Sequence, residues 1–101
     1  ACAAHHDASA SGEGPAAPTN LMAAKLAGGA HLTWADVADD EDHYMVMRKP
    51  VDGTYEDVAM LPFDAVQYHD ASVTPGTTYV YQIIAMNAQG AGPSEELTFT
   101  P

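Results

Sequence analysis

The stretch Val73-Thr74-Pro75-Gly76-Thr77-Thr78-Tyr79-Val80-Tyr81-Gln82-Ile83-Ile84-Ala85 decides the fold of this chain. Pro75-Gly76 is turn chemistry: proline presets φ at one turn position and glycine tolerates positive φ at the next. The residues that follow alternate. Tyr79, Tyr81, Ile83 and Ala85 fall on one face, because successive side chains of a strand point to opposite sides. A turn feeding such a strand, well downstream of the lone Trp34, is the pattern of a β-sandwich. It specifies an architecture and brings no catalytic group with it.

Outward from this strand the chain breaks into short apolar runs separated by turn residues. Thr19–Lys25 has Leu21 as its anchor, and Gly28-Gly29 marks a turn. Ala30–Ala35 alternates, with Leu32 and Trp34 on one face and His31 on the other. His43–Lys49 alternates again, with Tyr44, Val46 and Arg48 on one side and Met45 and Met47 on the other. Bulk on both sides implies a central strand covered on both faces, or a partly exposed methionine face. Pro50-Val51-Asp52-Gly53 is a hairpin signal, Asp-Gly suiting turn positions with positive φ. Strands are expected at Tyr55–Leu61, ended by Pro62, and at Val66–His69. Gln89–Pro93 is a turn, and Glu95–Thr100 closes the domain with Leu97 and Phe99 alternating. Seven short strands without a sustained helical period make an all-β, immunoglobulin-like Greek-key sandwich. The expected core is Leu21, Leu32, Trp34, Tyr44, Val46, Tyr79, Tyr81, Ile83 and Leu97.

Taken in order, these fragments resemble a fibronectin type III domain over residues 15–101. Pro15-Ala16-Ala17-Pro18-Thr19-Asn20-Leu21 looks like a proline-led first strand, Leu32-Thr33-Trp34 like the second, and Tyr44–Arg48 like the third. Val73–Tyr79 is similar to the family's corner before the sixth strand, where a tyrosine buries its ring while its hydroxyl finds a carbonyl. Asn87–Ser94 is similar to the loop into the last strand. The acidic, alanine-rich style looks like that of the bacterial members. The resemblance implies a non-enzymatic, extracellular or cell-surface module for spacing, adhesion or recognition of a protein or carbohydrate partner. Extracellular bacterial hydrolases often carry such domains. The Arg-Gly-Asp tripeptide is absent, so integrin-type adhesion has no support.

The 101 residues are enough for one domain with one core. Apolar residues make up 47% of the chain, but many are alanines, so few large residues carry the burial. Fourteen acidic residues face three basic ones, Lys25, Arg48 and Lys49, giving a formal charge of −11. Such a surface repels phosphate backbones and anionic lipid, which argues against nucleic-acid binding. No apolar run approaches the length of a transmembrane helix. Residues 1–14, dominated by small residues with no large apolar one, read as a flexible tail or linker.

Three groups carry candidate chemistry. Asp36, Asp39, Asp40, Glu41 and Asp42 crowd one loop; this is either a solvated acidic loop or a calcium site, since hard cations take several oxygen ligands. The spacing is not that of an EF-hand. Cys2, His5 and His6 offer soft ligands for zinc or copper, set in the tail, where a bland composition or a cloning remnant competes. Cys2 is the only cysteine, so no intrachain disulfide forms. It is a candidate for an intermolecular bridge or, because Ala1-Cys2 resembles the end of a lipoprotein processing site, a lipid anchor. Met45 and Met47 are candidate partner-binding residues if their face is open. The remaining histidines read as isolated surface groups. No catalytic constellation is present, and no cofactor other than calcium is expected. A second class of function stays open: a self-assembling fibre or surface-layer subunit that uses the tail for strand addition, or Cys2 for linkage.

Overall fold

The computed structural model describes residues 15–37, 41–88 and 90–101. The strands are β1 (Thr19–Leu26), β2 (Gly29–Ala35), β3 (His43–Pro50), β4 (Glu56–Pro62), β5 (Gln67–Asp70), β6 (Tyr79–Asn87), β7 (Gly90–Pro93) and β8 (Leu97–Phe99). One antiparallel sheet has the order β1-β2-β5. The other runs β4-β3-β6, with β7 and β8 successively paired along the far side of β6. Alternate reversals leave two ends. The upper end carries the β2–β3 connection, the β4–β5 turn and the β6–β7 turn. The lower end carries the β1–β2, β3–β4 and β5–β6 connections.

The opening motif folds as a corner. Thr77 N–H donates to the Thr74 carbonyl at 3.1 Å, and Gly76 sits at φ 88°, a conformation that only glycine adopts cheaply. Tyr79 then lays its ring over the corner. Its hydroxyl oxygen accepts the Thr74 amide at 3.0 Å, rather than donating to a carbonyl as the sequence reading has it. The Pro50–Gly53 turn forms, closed by Gly53 N–H to the Pro50 carbonyl at 2.9 Å, but Gly53 does not use the left-handed region. That region is instead used at the β1–β2 turn by Ala27 (φ 51°) and Gly28 (φ 80°).

The stretch expected as a turn before the last strand instead holds a short strand, β7 at Gly90–Pro93, and the expected strand Glu95–Thr100 is shortened to β8, which makes eight. Pro93 brings no N–H to the ladder, and Ser94 takes over its work beside β6. Ser94 N–H donates to the Ile83 carbonyl at 2.8 Å, and its hydroxyl oxygen accepts the Ile83 amide at 2.9 Å. Gln82 Nε2 donates to the Ser94 carbonyl at 2.8 Å. Gly92 is required by close approach: a Cβ there would lie 2.2 Å from the Pro15 carbonyl oxygen, where the chain leads into β1.

Between the sheets lie Leu32, Tyr44, Val46, Tyr81, Ile83 and Ala85, all fully enclosed, with Trp34, Val73 and Tyr79 nearly so. Trp34 and Tyr44 meet with ring centroids 6.0 Å apart. At ~25 cal/mol per Å², an aromatic ring burying about 150–250 Å² is worth roughly 4–6 kcal/mol before entropy is subtracted. Four such rings therefore outweigh the many alanines. Leu21 packs against this core while only partly buried. Leu97 does not join it: half-buried, it lines a groove with Pro18, Leu21 and Ser94, because the break at Ser94 separates β8 from the line of β7. Phe99 makes the core contact instead.

Replacing Tyr79 by Phe keeps the ring and removes the acceptor of the Thr74 amide. A loss of about 1 kcal/mol in urea unfolding is expected; an unchanged midpoint would remove the corner from the account.

Candidate functional site

Two carboxylate clusters stand out, and they differ in how their charge is met. At the upper end, Asp36 follows β2, Glu41 precedes β3 and Asp64 sits in the turn after β4 with φ 66°. One oxygen from each lies within 4.8 Å of the others. Glu41 is 7% exposed. Its Oε2 accepts the Asp64 amide at 3.0 Å, while its Oε1 is buried without a partner. Tyr44 donates its hydroxyl to Asp36 Oδ1 at 2.5 Å. Burial, this bond and the nearby carboxylates push the Tyr44 hydroxyl well above the usual tyrosine range. Asp64 is raised by desolvation and by the carboxylates of Asp36 and Glu41, so its proton is retained at higher pH than usual.

The sequence reading placed the candidate cation site within Asp36–Asp42. Of that group, Asp36 and Glu41 converge. Asp42 is exposed and outside the cluster, its backbone N–H bonded to the Met86 carbonyl at 2.7 Å. Asp39 and Asp40 lie outside the described residues. Asp64 was missed, since nothing in its spacing links it to Asp36. The one available signal was topological: the turn after β4 returns to the end where β2 hands over to β3.

The second cluster is closer to the lower end and spans both sheets. Asp70, 1% exposed on β5, receives Arg48 Nη1 at 2.8 Å and the Tyr81 hydroxyl at 2.7 Å on Oδ2. Its Oδ1 takes the Ser72 hydroxyl at 2.7 Å and the Ser72 amide at 3.1 Å. Arg48 also reaches Glu56 at 2.9 Å and lies over the Tyr79 ring, 5.2 Å from its centroid. Burial alone would raise the Asp70 carboxyl, but bonds from Ser72, Tyr81 and Arg48 outweigh it and hold it below the usual range. Burial likewise works against the Arg48 charge, and its bonds to Glu56 and Asp70 raise it regardless. Both oxygens of Asp70 are engaged, and Arg48 Nε is the guanidinium nitrogen left without a partner; the arrangement is a brace between the sheets.

Met45 and Met47 are 3% and 8% exposed, packed with Ile84 under Tyr55, Met86 and Ala91. The open methionine face proposed for partner binding is therefore filled. Tyr55, from the approach to β4, reaches across and donates to Glu96, between β7 and β8, at 2.5 Å; Lys49 sits 4.9 Å over its ring. The histidines are not all isolated. His31 and His69 are cross-strand partners on the β2–β5 pair with ring centroids 5.9 Å apart, and His31 Nε2 is 3.2 Å from Gln67 Oε1. Cys2, His5 and His6 lie outside the described residues, as does the whole 1–14 tail.

Two antiparallel sheets with this strand order define an immunoglobulin-like β-sandwich. The sequence matches no family model, and no curated protein matches it. Among solved structures, an Fn3-like protein from Clostridium thermocellum is 30% identical, with a TM-score of 0.71 over 86% of this chain and 94% of that one. The FN3 domain of human collagen XX has a TM-score of 0.74 at 17% identity, covering 85% and 91%. A pectate lyase of Erwinia chrysanthemi, solved with tetragalacturonic acid, has a TM-score of 0.73 at 22% identity; the match takes in 82% of this chain and spans only 28% of the lyase. The chain belongs to the fibronectin type III family.

The depressed Asp70 carboxyl gives a directional pH dependence. Its contribution is complete above the ordinary aspartate range and is lost as pH falls through the lowered native value. Asp70→Asn is expected to cost about 3–5 kcal/mol at neutral pH, because it strands Arg48 in a largely buried position. Glu56→Gln, on the exposed partner, should cost at most about 1 kcal/mol. Equal losses in denaturant titrations would contradict the distinction.

Proposed function

We propose that the chain is a non-catalytic module of a larger exported or surface protein, bacterial in type, holding neighbouring parts apart and offering its loops for recognition. The observation that carries this reading is the course of the chain. Residue 15 lies beside Gly92 towards the upper end, and the Pro101 carbonyl accepts the Gly76 amide at 2.9 Å at the lower end. The long axis measures 39 Å against 25 and 20 Å across. A body threaded lengthwise in this way adds its length to whatever it joins. The most deeply buried charged group, Asp70, is spent on the brace between sheets, which suits a scaffold. The family's presence as a domain of collagen XX, and the same fold over 28% of a pectate lyase, support the same reading. Recognition of carbohydrate or protein would then fall to the upper-end loops, adhesion being one form of it.

Fusing donor and acceptor fluorescent proteins to the two ends tests the spacing role. Weak energy transfer, consistent with flanks on opposite ends of the long axis, is expected. Strong transfer would show that the flanks come together, and cleavage of polygalacturonate by the isolated chain would overturn the non-catalytic reading.

A further inference from the structure

We propose that Asp36, Glu41 and Asp64 form a binding site for a hard divalent cation, with calcium as the ion it fits. The site is drawn from three separate places in the chain, and its members are held by the fold. Asp36 directly follows β2 and is oriented by the Tyr44 hydroxyl at 2.5 Å. Glu41 is fixed by the Asp64 amide at 3.0 Å. Asp64 is held by a turn in the left-handed region.

The first observation is distance. Two oxygens bound to one calcium ion at about 2.3–2.6 Å lie no more than about 5 Å apart, and the three carboxylates keep one oxygen each within 4.8 Å. The second is independent of the clustering. Glu41 is more than nine-tenths buried, and its Oε1 has no hydrogen-bond partner. A buried anionic oxygen without a donor is costly, and a bound cation is the partner that its charge calls for. The third is that each of the three Lys and Arg residues is placed elsewhere. Arg48 is committed to Asp70 and Glu56, Lys49 lies over Tyr55, and Lys25 lines a cleft at the lower end with Pro75 and Pro101. Three carboxylates supply three to six oxygens depending on whether each binds through one atom or two, and water completes the six to eight that calcium takes.

The site is tested on the full chain by thermal unfolding in 10 mM calcium chloride, against chelator with sodium chloride at matched ionic strength. For a dissociation constant of about 10⁻⁴–10⁻³ M, typical of extracellular modules, linkage gives a rise in Tm of roughly 5–15 °C. Asp64→Asn, whose side chain is exposed and whose loss leaves the core intact, is expected to lose most of that rise. Asp52→Asn, in the lower turn, should keep it. Terbium provides a second readout. Excitation of Tyr44 and Trp34 should sensitise its emission, calcium should displace it, and Asp64→Asn should weaken its binding at least tenfold. An identical Tm in calcium and in matched sodium chloride would overturn the proposal. So would an undiminished calcium response in Asp64→Asn, which would mark diffuse attraction to the acidic surface.

Discussion

The carboxylate of Asp70 is the fixed point of the sandwich. Arg48 and Tyr81 are cross-strand partners on β3 and β6, and both direct their polar ends at one oxygen of a residue in the opposite sheet. Ser72 holds the other oxygen. Apolar burial between two sheets is large but non-directional, so it tolerates sliding. A charged group closed off from water does not, because its donors have to arrive at hydrogen-bond distance or leave it uncompensated. Register in the first sheet, set at Ala30↔Asp70, is thereby tied to register in the second, set at Arg48↔Tyr81.

Seen from this brace, the chain's extreme charge is unevenly resolved. All three basic residues belong to the lower half, and two of them are engaged with aromatic rings. Asp70 thus has a guanidinium and two hydroxyls, whereas Asp36, Glu41 and Asp64 have chiefly each other. The contrast appears in their titration: bonding holds Asp70 down, while desolvation and like charge hold Asp64 up. At Asp70 the buried charge is met by donors of the protein itself, whereas at the upper end Glu41 Oε1 is buried without a hydrogen-bond partner.

Much of the architecture was legible in the sequence because a strand's period is two. Tyr79, Tyr81, Ile83 and Ala85, and separately Tyr44 and Val46, announced their inner face by alternation, and each is in the core. The Pro75-Gly76 corner was legible because few residues tolerate its backbone. What remained hidden depends on groups that meet across the fold. Asp64 lies far from Asp36 in sequence and reaches it only because successive strands alternate ends. His31 and His69 pair only once β2 and β5 do. Gly90–Pro93 read as a turn because its glycines and proline are turn chemistry, yet it pairs with β6, and the chain stays beside β6 through Ser94 bonding to Ile83, a contact that no local pattern encodes. For Met45 and Met47 alternation left a covered and an open face as alternatives, because it tells only that they lie opposite the core. It does not tell that Tyr55 crosses over to cover them.

A double-mutant cycle between Arg48 and Tyr81 tests the brace most directly. If the two donors act through the one Asp70 oxygen, Arg48→Leu and Tyr81→Phe will be non-additive in unfolding free energy by about 0.5–3 kcal/mol. Additivity within about 0.3 kcal/mol would mean that the sheets are aligned by packing alone, and Asp70 would lose its place as the fixed point.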